Sequence, residues 1–218
     1  MTNPSTRAND PRGRPPFLTD LAHVASLEGQ CYVVVRVGGA VESLFLDMKA
    51  RLLNRLHGAS AIGPTTGHVT LRGFPNESAS GRIDEVVATW AAKTPPLLIE
   101  TDGLSVFGAP HQVVILRVMK TPELVRAYSQ LAELAAEAGL ASLAGSMKTV
   151  ADWTFHVSVL YCKELPRTEW ESLVGLVAGL SVPPAQWVAD DAELVCFAGG
   201  VERRTTFRLT GNASCALS

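Results

Sequence analysis

The sequence predicts an α+β fold built from a duplicated strand-helix-strand-helix-strand unit. A pattern of histidine, apolar residue, hydroxyl and apolar residue occurs twice, as His68-Val69-Thr70-Leu71 and as His156-Val157-Ser158-Val159. The two copies are 88 residues apart, and the same spacing separates Pro95-Pro96 from Pro183-Pro184. Because strand-like and helix-like segments alternate around each copy, we expect two pseudo-symmetric lobes whose antiparallel sheets face a central cleft, with helices packed outside.

The first half of the chain shows the five elements of this unit in order. Residues 31–37 form a continuous apolar run, which is typical of a buried strand. Residues 41–56 place their apolar side chains on one helical stripe, and residues 81–93 do the same before Pro95-Pro96 ends the second helix. The predicted elements are a strand at 31–37, a helix at 41–56, the first histidine strand at 67–74, a helix at 81–93 and a strand at 97–107.

The same order returns in the second half. Val114-Ile115-Leu116-Arg117-Val118 repeats the pattern of Val33-Val34-Val35-Arg36-Val37. Thr121 followed by Pro122 is typical of a helix start, and Gly139 is typical of a helix end. The predicted elements are a strand at 111–119, a helix from 121 to 139, the second histidine strand at 152–162, a helix near 166–180 and strands near 187–197 and 201–210.

Length and composition indicate a single bilobal domain. The 218 residues are 47% apolar and 18% charged, which is enough apolar material for a sizeable core. Arg36 and Arg117 are 81 residues apart whereas the histidines are 88 apart, so we place extra residues of the second half in the loop at 141–150. The expected organisation is a disordered polar tail at 1–22 and one domain at 23–218, whose repeated halves cover about 31–110 and 111–210.

Charge and cysteine content limit the partners and the compartment. The formal net charge is −2, so we do not expect binding to a long tract of nucleic acid through many phosphate contacts. Residues 1–20 lack the apolar stretch of a secretory signal or membrane anchor, which predicts a cytoplasmic protein without membrane contact. The widely spaced cysteines predict buried, reduced thiols and no zinc site. These cysteines are Cys31, Cys162, Cys196 and Cys215.

Alternation along the first histidine strand predicts which side chains share a face. Val69 and Leu71 point into the core, and His68, Thr70 and Arg72 point together from the opposite face. A histidine, a hydroxyl and a guanidinium on one open face suit a bound phosphate. The first copy of the motif therefore predicts half of a phosphate site.

The second copy predicts the other half. The same alternation places His156, Ser158 and Leu160 on one face, and Val159 and Tyr161 on the buried face. Since leucine stands where the first copy has arginine, we expect an asymmetric pocket. Several aromatic residues could stack on a nucleobase, although most of them are expected in the core. They are Tyr32, Phe74, Phe107, Trp153 and Phe197.

Two imidazoles on opposite sides of a phosphodiester can divide the chemistry of its cleavage. One removes a proton from the attacking oxygen and the other protonates the leaving oxygen, because histidine titrates near neutral pH. Thr70 and Ser158 would donate hydrogen bonds to the non-bridging oxygens. This division needs no metal and no other cofactor. One copy alone would be a weak signal, and a duplicated structural histidine is the alternative, but two copies at a shared spacing favour catalysis.

The paired motifs His68/Thr70 and His156/Ser158 resemble those of the two-histidine phosphoesterases, which include the bacterial RNA 2′,3′-cyclic phosphodiesterases often labelled 2′-5′ RNA ligases. The resemblance extends, as an order of elements, over roughly residues 30–210. It implies metal-independent action on cyclic phosphates or 2′-5′ linkages, with the two histidines as the acid/base pair and the two hydroxyls as phosphate ligands. Alternation adds Arg72 as a further candidate phosphate contact.

The leading hypothesis is a metal-independent cyclic phosphodiesterase that hydrolyses a 2′,3′-cyclic phosphate on an RNA end or a nucleotide, and we expect a monomer. The alternatives are a non-catalytic module that binds nucleotides or RNA ends, and a 2′-5′ RNA ligase or phosphodiesterase acting on another substrate. The sequence has no Gly-rich phosphate loop with Lys and Ser or Thr, no dinucleotide glycine fingerprint, no zinc-protease motif and no nucleophile elbow. Kinases, dehydrogenases, zinc proteases and serine hydrolases are therefore disfavoured.

Overall fold

The computed structural model describes residues 13–56, 61–76, 80–143 and 149–212. Five helices and eight strands are formed within these ranges. The helices are α1 (Leu21–Ser26), α2 (Gly39–Arg55), α3 (Ser80–Lys93), α4 (Pro122–Glu137) and α5 (Arg167–Ala178). The strands are β1 (Gln30–Arg36), β2 (His68–Pro75), β3 (Leu97–Phe107), β4 (Val113–Val118), β5 (His156–Tyr161), β6 (Ala185–Ala189), β7 (Asp191–Ala198) and β8 (Val201–Arg208).

The strands form one antiparallel sheet of eight, in the order β6-β3-β4-β5-β2-β1-β7-β8. The predicted α+β class is therefore confirmed. The two expected sheets are two halves of this one sheet, and they meet where β2 and β5 pair at Val69 and Val157. Gly67 lies at this junction, where an added Cβ would come within 2.6 Å of Val37 and 3.1 Å of Val157. Glycine is therefore needed at position 67, because a side chain there would prevent the close approach of Val37 and Val157.

Each half of the chain contributes strands to the half of the sheet that holds the other half's histidine. β3 is the next strand after β2 in sequence but pairs with β4 and β6, and β7 is the next strand after β6 but pairs with β1 and β8. Each half of the sheet is therefore built from both halves of the chain. This exchange of strands agrees with the duplication inferred from the sequence, which stays a prediction.

The helices cover one face of the sheet and leave the other face partly open. Buried residues of α2, α3, α4 and α5 form the main apolar core with one face of the strands, and Phe45, Leu71 and Trp90 are completely buried there. A second, smaller cluster lies on the opposite face. Its buried members are Phe17, Leu18, Val24, Val34, Val195 and Phe197.

Residues 13–27, called the N-terminal segment below, pack against that open face. The backbone N–H of Phe17 donates to the Glu202 carboxylate at 2.9 and 3.1 Å, and the Phe17 carbonyl accepts from the Thr65 N–H at 2.8 Å. Asp20 caps α1 by accepting from the backbone N–H of His23 at 2.7 Å. The prediction of a disordered tail at 1–22 is therefore wrong for residues 13–22, because apolar residues at 17 and 18 bury against the sheet; residues 1–12 lie outside the described residues.

Cys31 and Cys196 form a disulfide between β1 and β7, where the two residues are direct cross-strand partners. The prediction of reduced thiols is wrong for this pair, because 165 residues separate them and only the strand pairing brings them together. Cys162 is a buried free thiol, as predicted, and Cys215 lies outside the described residues. Among the described residues, no helix has the length and apolar character needed to cross a membrane.

Candidate active site

The two motif histidines lie side by side on the open face of the sheet. His68 is the first residue of β2 and His156 the first residue of β5, and these strands are neighbours at the centre of the sheet. Arg36 lies opposite His68 in the register of β1, and Arg117 lies opposite His156 in that of β4. Both imidazoles are partly exposed. The structure thus brings together two rings that are distant in sequence, at equivalent positions on adjacent strands.

A backbone carbonyl two residues upstream orients each imidazole. Nδ1 of His156 lies 2.9 Å from the carbonyl oxygen of Thr154, and Nδ1 of His68 lies 3.4 Å from that of Thr66. When Nδ1–H donates to such a carbonyl, Nε2 is the nitrogen that exchanges a proton with a ligand. Thr66 and Thr154 are again 88 residues apart. This contact was not predicted, although the repeated threonine before each histidine was a readable signal.

Burial lowers the pKa of both histidines. The pKa of His68 falls to about 4, first because of burial and then because of the positive charges of Arg36 and His156, with the Thr66 carbonyl acting in the opposite direction. Burial also lowers the pKa of His156, and the Thr154 carbonyl partly offsets that effect. His68 is therefore neutral at pH 7 and can accept a proton on Nε2.

An aromatic ring contacts each imidazole nearly at a right angle. The ring of Phe17 lies 4.6 Å from that of His68 with an interplanar angle of 77°, and the ring of Phe107 lies 4.9 Å from that of His156 at 89°. Phe17 comes from the N-terminal segment and Phe107 from the end of β3. Phe107 was a predicted stacking residue for a base, and the structure instead places it against a histidine.

The two motif hydroxyls share the open face with the histidines. Thr70 pairs with Val34 across β1, and Ser158 pairs with Ile115 across β4. Val34 belongs to the cluster on the open face. Since directly opposed residues of an antiparallel pair point to the same side, the two hydroxyls lie on the same face as the imidazoles, as the alternation predicted.

A β-bulge follows each hydroxyl and reverses the alternation. On β2 the paired residues are Thr70 and then Arg72, whereas their partners on β1 are consecutive residues. On β5 the paired residues are Ser158 and then Leu160, and their partners on β4 are again consecutive. The extra residues, Leu71 and Val159, are again 88 apart. Bulges of this kind re-aim the side chains that follow. Residues after each bulge therefore face the side opposite to the predicted one.

Arg72 and Leu160 are corrected accordingly. The Arg72 guanidinium donates to the Ser142 hydroxyl from Nε at 3.1 Å and from Nη2 at 2.6 Å, and Arg72 pairs with the core residue Val33. Leu160 is completely buried in the main core. The structure therefore does not bring Arg72 together with His68 and Thr70, and the candidate phosphate contact predicted for it is wrong.

Tyr161 is a site residue that the alternation had predicted in the core. After the bulge it lies on the open face, where its hydroxyl is hydrogen-bonded to Ser158 and burial raises its pKa. Tyr161 lines a cavity of about 230 Å³ beside His68. Other residues around this cavity are His68, Thr70, Phe17, Tyr32 and Phe197. Of the predicted stacking residues, Tyr32 and Phe197 thus reach the site, whereas Phe74 is buried in the main core.

Arg36 is the charged residue nearest to the first histidine in the strand register, but its guanidinium is occupied. It donates to both carboxylate oxygens of Glu193, at 2.8 and 3.2 Å, to the Thr66 hydroxyl and to the Pro15 carbonyl at 3.1 Å. Its Cζ lies 3.8 Å from the centre of the Phe17 ring. Arg36 therefore anchors the N-terminal segment and is not arranged as a phosphate ligand. Within the described ranges, no group of His, Cys, Asp or Glu side chains could hold a metal ion.

Comparisons with known proteins agree with this architecture. The family model described as "2'-5' RNA ligase superfamily" matches residues 49–200 of the chain. No curated protein sequence is similar enough to match.

Solved structures show the same fold at low sequence identity. TT0787 of Thermus thermophilus has a TM-score of 0.60 and 16% identity, covering 84% of this chain and 99% of its own. E. coli LigT in its apo form has a TM-score of 0.55 and 15% identity, covering 83% of this chain and 95% of its own. E. coli LigT complexed with 3'-AMP has a TM-score of 0.53 and 14% identity over the same shares of the two chains.

Proposed function

The chain belongs to the 2′-5′ RNA ligase superfamily, and from this premise we propose that it is a metal-independent phosphodiesterase that hydrolyses 2′,3′-cyclic phosphates on nucleotides or RNA ends. Membership of this superfamily assigns the chain to phosphoesterases, which act on phosphodiester bonds. The cyclic phosphate, the acid/base roles of His68 and His156 and the phosphate contacts of Thr70 and Ser158 are the parts that we propose.

One observation carries the proposal: two imidazoles occupy equivalent positions on adjacent strands of one open face, each with its own hydroxyl two residues on. Both present Nε2 to a ligand because a carbonyl accepts from Nδ1. This arrangement suits substitution at phosphorus, because the attacking oxygen approaches from one side and the leaving oxygen departs from the other. A structural role would not require both histidines to share an open face.

The reaction follows from this arrangement. One neutral imidazole accepts a proton from a water molecule as its oxygen attacks phosphorus, and the opposite imidazolium donates a proton to the ribose oxygen as its bond to phosphorus breaks. The hydroxyls of Thr70 and Ser158 donate hydrogen bonds to the non-bridging oxygens, on which negative charge increases in the transition state. The product carries a single phosphate ester and one free ribose hydroxyl.

The ligand class has separate support. The E. coli LigT structure with 3'-AMP concerns a protein of the same fold bound to a nucleoside monophosphate. In this chain the cavity of about 230 Å³ adjoins His68 and Thr70 and has aromatic walls. We therefore propose a nucleotide or an RNA end as the partner, handled by a monomeric, cytoplasmic protein that makes no membrane contact and needs no cofactor.

The test is an assay of the purified protein with 2′,3′-cyclic AMP, with and without EDTA, and in parallel with a 2′-5′-linked dinucleotide. We expect the cyclic phosphate to be opened to a monoester at a rate that EDTA does not change, since proton transfer by histidine requires no metal. Binding of the cyclic nucleotide without any product would contradict the proposal and favour the non-catalytic module. Cleavage of the 2′-5′ dinucleotide alone would favour the alternative substrate.

The pH dependence of this activity follows from the histidine pKa values. The profile of kcat/KM reports the apparent pKa values of the free enzyme's acid and base, and the bell is centred between them whichever ring is the base. Burial lowers the pKa of His68 to about 4 and also lowers that of His156. The histidine that acts as the base stays neutral at more acidic pH when its pKa is lowered. The histidine that acts as the acid is less protonated at neutral pH when its pKa is lowered. We therefore expect an optimum of kcat/KM below pH 6.5, and an optimum at pH 7 or above would contradict the assignment.

A further inference from the structure

The N-terminal segment brings a side chain against the first histidine from outside the matched family region. The family model covers residues 49–200, whereas Phe17 lies well before it. The Phe17 side chain is only 2% exposed, and its ring stands at 77° to the His68 imidazole with 4.6 Å between the ring centres. This contact therefore reaches His68 from residues that the family model does not match.

Charged groups with little exposure fix the position of Phe17. Its backbone N–H donates to the Glu202 carboxylate, whose side chain is 5% exposed and also pairs with Arg204 at 3.4 Å. Its ring is covered on one side by the Arg36 guanidinium, which is itself paired with Glu193. An arrangement of ion pairs and a cation–π contact holds the ring more rigidly than apolar packing alone would.

The second half of the sheet supplies the equivalent ring from a different place. Phe107 at the end of β3 stands at 89° to His156. In the sequence repeat, Leu104-Ser105-Val106-Phe107 corresponds to Leu194-Val195-Cys196-Phe197, so Phe197 would be the matching residue. The ring of Phe197 instead lies 6.4 Å from that of Tyr32. Phe17 takes the place that symmetry would give to Phe197.

The orientation of His68 depends more on its aromatic contact than the orientation of His156 does. The distance from Nδ1 to the upstream carbonyl is 3.4 Å for His68 but 2.9 Å for His156, so the backbone holds the first imidazole less firmly. A perpendicular ring restricts rotation of the imidazole about its side-chain bonds and excludes water from that side. Orientation of an acid or base within a fraction of an ångström has large effects on rate.

We propose that Phe17 is a positioning residue for His68: the N-terminal segment holds its ring against the imidazole, fixing the direction of Nε2 and keeping one side of the ring dry. This inference rests on the proposed function of His68. The charged groups that face His68 are Arg36 on β1 and His156 on β5, and both lower its pKa. Arg36 is paired with Glu193, so removal of the phenyl ring changes mainly the burial of His68.

The test compares Phe17→Leu with Val24→Ala in the full-length protein. Val24 is 5% exposed, belongs to the same N-terminal segment and the same apolar cluster, and serves as a matched control for lost packing. The pKa of His68 is measured by NMR titration of the imidazole carbon-bound protons, which needs no turnover. Because burial is the largest cause of the lowered pKa, we expect Phe17→Leu to raise it by about one pH unit or more and Val24→Ala to leave it unchanged.

Kinetics supply the second measurement. With 2′,3′-cyclic AMP, we expect Phe17→Leu to lower kcat by about tenfold and to move the optimum of kcat/KM toward neutral pH. Since Phe17 also lines the cavity beside His68, we expect a rise in KM in addition to the loss in kcat. An unchanged His68 pKa in Phe17→Leu, or an equal rise in Val24→Ala, would overturn the proposal. If Phe17→Leu does not fold, Phe17→Met at similar volume gives the same comparison. A wild-type protein without turnover whose His68 pKa still responds to Phe17 would contradict the proposed function alone.

Discussion

His68→Ala and His156→Ala will each lower kcat/KM for 2′,3′-cyclic AMP by about 10²–10⁴-fold, the usual contribution of a positioned general acid or base. Each imidazole has its Nδ1 at an upstream carbonyl and its Nε2 for proton exchange, so removal of either ring leaves one of the two proposed proton transfers without its group. The effect is measured from initial rates across the pH range, because a shifted optimum could otherwise be mistaken for a lost group.

The double variant His68→Ala/His156→Ala is the control for cooperation. Residues that act as one unit are not additive, so the double variant is expected to be about as slow as the slower single variant. Both imidazoles are partly exposed on the open face, and their removal should leave thermal unfolding close to that of the wild type. Substantial turnover in either single variant, with the fold intact, would contradict the assignment of the two histidines as the acid/base pair.

Arg36→Met will lower the free energy of unfolding by about 3 kcal/mol, at the low end of the range for breaking a buried ion pair. The Arg36 side chain is 7% exposed and that of Glu193 is 1% exposed, so the substitution leaves a buried carboxylate with fewer partners. Arg14 still pairs with Glu193 at 2.9 Å, which is why we do not expect the upper end of the range. The change is measured by urea denaturation at neutral pH.

The matched control is Arg117→Met. Arg117 occupies the equivalent place opposite His156, but its side chain is 49% exposed and its pair with Asp102 at 3.0 Å is solvated. Exposed pairs of this kind contribute about 0–1 kcal/mol. Arg36→Met combined with Glu193→Leu should recover most of the lost stability, since Arg14 keeps its pair with Asp191 at 3.2 Å and no buried charge is left without a partner. Equal losses for the two arginine variants would show that the buried pair has no special role.

Local signals in the sequence predicted most of the elements and the central part of the site. The helix start at Thr121 and Pro122 is confirmed, with the Thr121 hydroxyl accepting from the Leu124 N–H, and Gly139 follows the helix end with φ of +66°. The connection from α4 to β5, residues 138–155, is longer than that from α2 to β2, residues 56–67, which agrees with the extra loop predicted at 141–150. Part of that loop, residues 144–148, lies outside the described residues.

Features that depend on contacts between residues distant in sequence were not predicted. The strand predicted at 187–197 is two strands that separate at Asp190, because β6 pairs with β3 and β7 pairs with β1. The bulges at Leu71 and Val159 arise from pairing with neighbouring strands, and they moved Arg72 out of the site and Tyr161 into it. Helix α1 and the docking of Phe17 were missed because a short polar segment with few apolar residues carries no periodic signal of its own.

The crossing of β3 and β7 into opposite halves of the sheet has a consequence for how the molecule assembles. Neither half of the chain can complete its own layer, since each lacks a strand that the other must contribute. Stepwise folding, one half before the other, would expose unpaired strand edges and apolar surface. The chain is therefore expected to lose and regain its native state in a single cooperative transition, and the two imidazoles come together only when the whole sheet is complete.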